Sequence, residues 1–268
     1  MLREITLGQY YPADSVVHKL DPRVKLFGTV VFIISLFLYQ NFACYLVATL
    51  FLAFAIKASK VPFKFMVKGL RAILLLMLIT VGFNLFLTPG EAVFKIWKLT
   101  ITREGIHQAA FMAIRLTYLI IGSSILTLTT TPNNLTDGLE KALSPLNKIH
   151  VPVHEISMMM SIALRFIPIL LEETDKIMKA QMARGADFET GGLIKKAKSL
   201  VPLLVPLFIS AFRRANDLAM AMEARGYRGG EGRTKMKPLV YKKADHITYV
   251  IYVIYLACII AAGSLWRF

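Results

Sequence analysis

The chain has 268 residues, of which 56% are apolar and only 18% are charged, and its mean hydropathy is +0.55. A soluble domain of this size cannot bury so many apolar side chains, so the composition predicts a membrane protein. The net charge of +15 is typical of a nucleic-acid partner, an anionic lipid surface or a membrane-topology signal.

The first apolar run, residues 24–56, predicts two membrane helices that turn at Gln40 and Asn41. As a single helix it would measure roughly 50 Å, which is too long for a hydrocarbon core of about 30 Å at ordinary tilt. Basic residues flank the run, with Arg23 before it and Lys57 after it, and a hairpin keeps both ends on the cytoplasmic side. The polar segment before the run lacks the pattern of a cleavable signal peptide.

Three more spans are expected at residues 72–87, 105–130 and 247–266, and the last contains no charged residue. The weakly charged stretch 91–104 is predicted to be an outer loop. With a cytoplasmic amino terminus, five spans place the carboxyl terminus outside the cell membrane. This topology puts most of the 32 Lys and Arg residues on the cytoplasmic side, so the charge needs no nucleic-acid partner, and no recognition motif accompanies it.

Residues 131–243 are too long and too regularly patterned for a connecting loop, and they predict a cytoplasmic or interfacial helical domain. The chain would then divide into residues 1–130 with four transmembrane helices, this domain, and a final transmembrane helix within 244–268. The predicted fold is an all-α integral membrane protein with about five transmembrane helices and several long, proline-kinked ones. The domain's helices are expected at about 133–145, from after Pro152 to Gly185 with a kink at Pro168, and from about Leu193 to Gly226 with kinks at Pro202 and Pro206.

The two long helices each end on the same tripeptide, Ala183-Arg184-Gly185 in one and Ala224-Arg225-Gly226 in the other, 41 residues apart. Helix capping explains either copy alone, because glycine accepts the left-handed conformation and a cation stabilises the negative end of a helix. Each arginine also continues an apolar stripe seven residues after Ile177 or Leu218. Two such copies favour a pair of docking tips that enter acidic grooves.

The apolar first halves of these helices are not typical spans, because Arg165 interrupts one and the other is short and contains two prolines. They are expected at the membrane interface or against another membrane protein. Eight of the 12 methionines fall in this region, and flexible thioethers suit a surface that accommodates several partners. Ordinary packing between long helices is the alternative.

Three motifs together resemble the transmembrane T component of energy-coupling factor (ECF) transporters, the group that includes the membrane component of cobalt and biotin uptake systems. They are Leu20-Asp21-Pro22-Arg23-Val24-Lys25, then Arg165-Phe166-Ile167-Pro168 with Glu172-Glu173, and the paired Ala-Arg-Gly ends. The resemblance covers essentially the whole chain. Asp21 and Pro22 alone are also explained as a helix N-cap followed by proline at the first helical position.

The resemblance implies a non-catalytic scaffold of an ATP-driven importer of a vitamin or metal ion, with a cytoplasmic coupling domain. Its partners would be two cytoplasmic ATP-binding-cassette ATPase subunits and a membrane-embedded, substrate-binding S component. The chain would bind no cofactor itself, since the ATPases use ATP and Mg²⁺. The ATPase-coupling residues would be Ala183, Arg184, Gly185, Ala224, Arg225 and Gly226. The S-component interface would include Met158, Met159, Phe166, Pro168, Pro202, Leu203, Pro206 and Phe208.

Other patterns in the sequence give less support to a particular function. Residues 192–199 fall one residue short of a phosphate-binding loop and follow no strand. His150 and His154 are interpreted as loop residues rather than metal ligands, because Pro152 disrupts helical spacing. The two cysteines have no metal-binding or disulfide spacing. Arg115, inside the fourth span, is either a functional charge, a structural pair or a sign that the helix boundary is displaced.

A stand-alone secondary carrier, or a membrane enzyme with a helical head, is the alternative from another functional class. A carrier is expected to hold acidic residues within its spans, and the five predicted spans contain none. An enzyme is expected to show a converging nucleophile, base or metal set, which the sequence does not indicate. The sequence does not identify the nutrient.

Overall fold

The structure, a computed structural model, describes residues 10–39, 41–96, 99–186, 188, 192–230, 236 and 238–265. Contacts divide the chain into two compact units, one of residues 8–139 and 239–268 and the other including 140–238. The function-based division at residues 131 and 243 stays a prediction. The described elements are α1 (Val16–Lys19), α2 (Pro22–Leu38), α3 (Phe42–Ser59), α4 (Phe63–Leu87), β1 (Ala92–Ile96), β2 (Leu99–Thr102), α5 (Arg103–Thr129), α6 (Pro132–Leu143), a 3₁₀ helix (Ser144–Ile149), α7 (Val153–Ala183), α8 (Leu193–Ala224) and α9 (Lys243–Leu265).

The fold is that of an all-α membrane protein, and the apolar run at 24–56 forms two helices as predicted. Helices α2 and α3 meet at the expected turn, of which Asn41 is described and Gln40 lies outside the described residues. Helices α4, α5 and α9 match the other three predicted spans. Four described helices, α3, α5, α7 and α9, are long and apolar enough to cross a membrane, and residues 73–87 of α4 form a shorter apolar helix.

Helix α7 differs from the sequence prediction, because by length and composition it also qualifies as a span. In the sequence, the charge of Arg165 indicates that this helix does not cross the membrane. A long helix can place one charge among many apolar residues and still keep a high mean hydropathy. By length and composition, α7 is therefore a candidate membrane span.

The predicted outer loop at 91–104 contains a short antiparallel hairpin of β1 and β2. Ala92 pairs with Thr102 and Ile96 pairs with Leu99. β-branched residues are frequent in this stretch, and they favour extended backbone. The Thr102 hydroxyl then accepts a hydrogen bond from the Gly105 amide at 3.0 Å and caps α5, so the hairpin leads directly into that helix.

The core of the unit formed by residues 8–139 and 239–268 lies where α2, α3 and α9 meet. The rings of Phe51 and Tyr255 stack with centroids 4.3 Å apart, and Phe32 lies 5.9 Å from Phe51. A Cβ at Gly122 of α5 would lie 2.6 Å from the Phe32 ring, so only glycine permits this approach of the two helices. Aromatic stacking adds about 0.5–1.5 kcal/mol per pair to the burial of apolar surface.

Arg115 lies inside α5 and is buried, which removes the possibility of a displaced helix boundary. Its Nε donates a hydrogen bond of 3.0 Å to the Tyr45 hydroxyl of α3, and its guanidinium lies 5.1 Å from the centre of the Phe37 ring. A planar cation can both donate to a hydroxyl and stack near a ring. The structural alternative therefore accounts for this intramembrane charge.

The starts of α2 and α9 are joined by a buried polar network that the sequence motif only partly predicts. Asp21 is the N-cap of α2, accepts a hydrogen bond from the Arg23 amide at 2.9 Å and precedes proline, as expected. The Asp245 carboxylate accepts hydrogen bonds from the Asp21 amide at 2.8 Å and from the Lys242 amide at 2.7 Å. The Asp245 carboxylate thus holds the residues that precede both helices, although Asp21 and Asp245 are 224 positions apart in the chain.

We expect acid to destabilise the protein through Asp21. Burial raises the pKa of Asp21, but hydrogen bonds from the Arg23 side chain and amide, with the charges of Arg23 and Lys25, lower it below 3.8 overall. Because the folded pKa is the lower one, this stabilisation is present above the unfolded pKa and is lost as the pH falls through the folded pKa. Thermal unfolding in detergent between pH 6 and pH 3 should show a shallower loss for Asp21→Asn than for the natural chain, and parallel curves would contradict this.

Candidate docking site at two helix ends

The first candidate docking tip, Ala183-Arg184-Gly185, lies at the end of α7, and this helix ends in a Schellman motif. Arg184 is the C-cap, and Gly185 follows it with φ of 86°. The Gly185 amide donates to the Met182 carbonyl and the Ala186 amide donates to the Gln181 carbonyl, both at 3.0 Å. Glycine is needed here because a side chain in the left-handed region is strained.

The second tip closes α8 in the same way. Arg225 is the C-cap, and Gly226 has φ of 71°. The Gly226 amide donates to the Glu223 carbonyl at 2.8 Å and the Tyr227 amide donates to the Met222 carbonyl at 3.0 Å. The weak sequence repeat is therefore a repeat of backbone geometry as well.

Both arginines and the Ala and Gly residues beside them are exposed. Within the described part of the chain, the side chains of Arg184 and Arg225 make no hydrogen bond and no ion pair. A cation at a C-cap stabilises its own helix only by about 0.3–1 kcal/mol at exposed positions. Two always-charged, planar groups with five donors each thus project where an acidic partner can reach them.

The two tips are placed symmetrically about the crossing of α7 and α8. Arg214 donates a hydrogen bond of 3.2 Å to Glu173, and these residues are themselves 41 positions apart. Gln181 donates to the Pro202 carbonyl at 3.3 Å, so the two helices run antiparallel through their contact. The contact of Glu173 with Arg214 thus joins positions that are equivalent in the repeat.

Each tip lies eleven residues beyond this contact, from Glu173 to Arg184 and from Arg214 to Arg225. At 1.5 Å per residue, each guanidinium-bearing end is about 16 Å along its helix from the crossing. Because the helices are antiparallel, the tips lie on opposite sides of the crossing. This arrangement suits a partner that also has two-fold symmetry.

Replacing the two glycines should distort both tips. Gly185→Ala with Gly226→Ala places a Cβ at φ of 86° and 71°, although the space around each is open. The strain costs about 1–2 kcal/mol at each position and favours a rearranged helix end. We expect the chain to associate more weakly with the acidic partner of its two arginine tips, as measured by size-exclusion chromatography. Gly192→Ala is the matched control, because that glycine has φ of −69° and equally open space; a loss as large as that of the double variant would contradict the explanation.

The residues predicted for the S-component interface do not all lie at the surface. Leu203 is buried, and the assignment of these residues to the S-component interface stays a prediction. Met158, Phe166 and Pro206 are half-buried. Met159, Pro168, Pro202 and Phe208 are exposed. Phe208 belongs to a wider apolar face of α8 that the sequence pattern indicated only in outline, consisting of Leu200, Val201, Leu204, Val205, Phe208, Ile209 and Phe212.

The histidines interpreted as loop residues differ in position. His150 follows the 3₁₀ helix with φ of 61°. His154 lies in the first turn of α7, where its Nδ1 is 3.1 Å from the Glu140 carboxylate, which also accepts a hydrogen bond from Ser157 at 2.8 Å. The loop interpretation of His154 is wrong, because helix α7 begins directly after Pro152 and includes it.

The fold and the site together define a multi-pass membrane protein with two equivalent, exposed arginine tips on crossed helices. Residues 13–236 match the family model described as cobalt transport protein. The energy-coupling factor transporter transmembrane protein EcfT of Clostridium kluyveri is 56% identical over 269 residues, with 99% of each chain covered.

Proteins of the same description from Thermosediminibacter oceani and Bacillus subtilis are 53% and 49% identical, covering 93% and 91% of this chain and 94% and 93% of theirs. The chain belongs to the family of transmembrane T components of energy-coupling factor transporters. It is thus a membrane subunit of a transporter that works in a complex with other subunits, and the resemblance drawn from its motifs is confirmed.

Proposed function

We propose that this chain is the scaffold that transmits movement from two cytoplasmic ATPase subunits to a substrate-binding S component during uptake of a vitamin or metal ion. Arg184 and Arg225 would each bind an acidic groove on one ATPase. The chain itself would carry out no catalysis and hold no cofactor, because ATP and Mg²⁺ would act in the ATPases. The amino terminus would be cytoplasmic and the carboxyl terminus outside.

The observation that carries this proposal is the symmetric pair of tips. Arg184 and Arg225 are exposed C-cap residues, equally far from a contact between equivalent residues. Two ATPase subunits that close together on ATP would present a similar groove to each tip. A bidentate arginine–carboxylate pair would hold each end firmly enough to transmit a displacement.

Rigid helices would carry that displacement. Helix α7 has 31 residues and α8 has 32, and the ion pair of Glu173 with Arg214 joins them at their crossing. A movement of one tip would therefore turn the other helix as well. Coupling over such a distance requires elements that move as bodies rather than loops that absorb the movement.

The apolar face of α8 would be the platform for the S component. Phe208 and Phe212 are 60% and 67% exposed, one helical turn apart, and Leu204 and Leu200 continue the row. An apolar helix face of this length fits another membrane protein. Met159 of α7 is also exposed, and a flexible thioether adapts to partners of different shape.

Isolating the chain from native membranes in mild detergent tests the proposal. We expect two ATP-binding-cassette ATPase subunits and one small hydrophobic protein to accompany it, identified by mass spectrometry. Purification of the chain alone, with transport activity of its own in vesicles, would instead support a stand-alone carrier.

A further inference from the structure

A cleft of about 320 Å³ lies in the unit formed by residues 8–139 and 239–268. Helices α3 and α9 touch where Phe51 stacks on Tyr255 and where the Cys44 thiol points to the Ile259 carbonyl. Towards the end of α3 and the start of α9, the cleft lies between the two helices. Its walls there include Ala55 and Ala58 of α3 and Ala244, Ile247, Thr248 and Ile251 of α9.

The cleft is open along one side to the surroundings of the helices. Phe54 and Ile247 form part of its rim and are 59% and 61% exposed. In a membrane protein such side chains face hydrocarbon. The floor is closed by Phe32 of α2 and Gly122 of α5, and helix α1 contributes Val17.

Besides the Tyr252 hydroxyl, the side-chain polar groups that line the cleft are already occupied. The hydroxyls of Thr29, Thr129 and Thr248 each donate to a carbonyl of their own helix, at 2.9, 2.7 and 2.8 Å. The Lys25 ammonium donates to the Thr129 carbonyl at 2.9 Å and to the His18 carbonyl at 3.4 Å. A polar nutrient would find few partners here, whereas an alkyl chain needs none.

Exposed cations lie about one helical turn from the rim residues on both helices, with Lys57 three positions after Phe54 and Lys243 four positions before Ile247. Lys57 lies between the wall residues Ala55 and Ala58, and Lys243 directly precedes the wall residue Ala244. Both are exposed, as are their neighbours Lys60 and Lys242. The nearby Asp245 carboxylate is buried and occupied by two backbone amides, so it is not placed to neutralise them.

We propose that this cleft holds one acyl chain of an anionic phospholipid, with the headgroup phosphate bound between Lys57 and Lys243. The acyl chain fills the space between α3 and α9, and the phosphate pairs with ammonium groups at the membrane surface. The lipid fills the space that α3 and α9 leave between them on this side. This inference goes beyond the proposed function and does not depend on it.

The test measures lipid carried by the purified full chain, with the subunits that accompany it, after reconstitution in nanodiscs of equal parts phosphatidylglycerol and phosphatidylcholine. Native mass spectrometry should find one phosphatidylglycerol per chain, preferred roughly tenfold over phosphatidylcholine. Ala55→Phe fills the cleft and should lower bound lipid about tenfold. Ala53→Phe is the matched control, because Ala53 is exposed on the same helix and does not line the cleft.

Lys57→Gln with Lys243→Gln tests the binding of the headgroup separately. Because this double variant changes only exposed side chains, it should fold, and it tests the proposal even if Ala55→Phe does not fold. We expect the preference for phosphatidylglycerol to disappear while phosphatidylcholine still binds. Lys141→Gln with Lys148→Gln removes two exposed charges elsewhere and should keep the preference. Equal lipid on the Ala55→Phe and Ala53→Phe variants, detergent alone on the natural chain, or an unchanged preference without Lys57 and Lys243 would overturn the proposal.

Discussion

Reversing the charge of both tips, Arg184→Glu with Arg225→Glu, should abolish ATPase association and transport while membrane insertion stays normal. Each acidic groove would lose its guanidinium partner and face a like charge, the new glutamate, instead. Losing one partner of a buried charge pair costs about 2–5 kcal/mol, so the two tips together should weaken association by at least about a thousandfold. Because the two tips have equivalent geometry, each single reversal should produce a similar intermediate loss.

The matched control is Lys176→Glu with Arg213→Glu. These residues are exposed cations on the same two helices, and they lie away from the tips. The control therefore reverses the same amount of charge in the same unit. Co-purification of the ATPases and uptake into vesicles measure both variants; full activity of the tip variant, or equal loss in the control, would contradict the assignment of Arg184 and Arg225.

Asp245→Ala should cause the largest loss of stability among substitutions in the membrane unit. The carboxylate is 1% exposed and accepts amides from Asp21 and Lys242, so its removal leaves two donors without acceptors. The buried Asp21 amide without an acceptor costs about 1–3 kcal/mol, and the Lys242 amide, which is only partly buried, adds less. Thermal unfolding in detergent should show a large decrease in Tm.

Two further variants make this expectation specific. Asp245→Asn keeps one carbonyl oxygen and should fall between the natural chain and the alanine variant. His246→Ala changes an exposed neighbour and should leave Tm nearly unchanged. If Asp245→Ala unfolds at the same temperature as His246→Ala, the network does not hold the two helix starts together.

The features that the sequence predicted well are those that depend on residues close together in the chain. Apolar length and flanking charge predict the hairpin of α2 and α3, since the bilayer limits how long a span can be. Glycine after arginine predicts both helix ends, because glycine adopts φ of 86° or 71° without the strain that a side chain would cause. The N-cap role of Asp21 follows equally from its position before proline.

The features that the sequence could not predict depend on contacts between distant residues. Asp245 sits in the first turn of α9 like an ordinary helix-start carboxylate, and its bond to Asp21 requires the tertiary fold. The contact of Glu173 with Arg214 needs the two helices to cross at equivalent positions. Leu203 lies in the same apolar run of α8 as its exposed neighbours, so the sequence does not show that Leu203 is buried and they are not.

Photo-crosslinking in the assembled membrane complex is the most direct test of a scaffold that joins two ATPases through two arginine tips. A benzoylphenylalanine placed at Ala183 or at Ala224, both exposed beside an arginine, reports whatever touches each tip. We predict that both positions crosslink to an ATPase subunit, with yields that fall when the neighbouring arginine is reversed. Crosslinks that reach only lipid, this chain itself or a protein on the outer face would contradict the account.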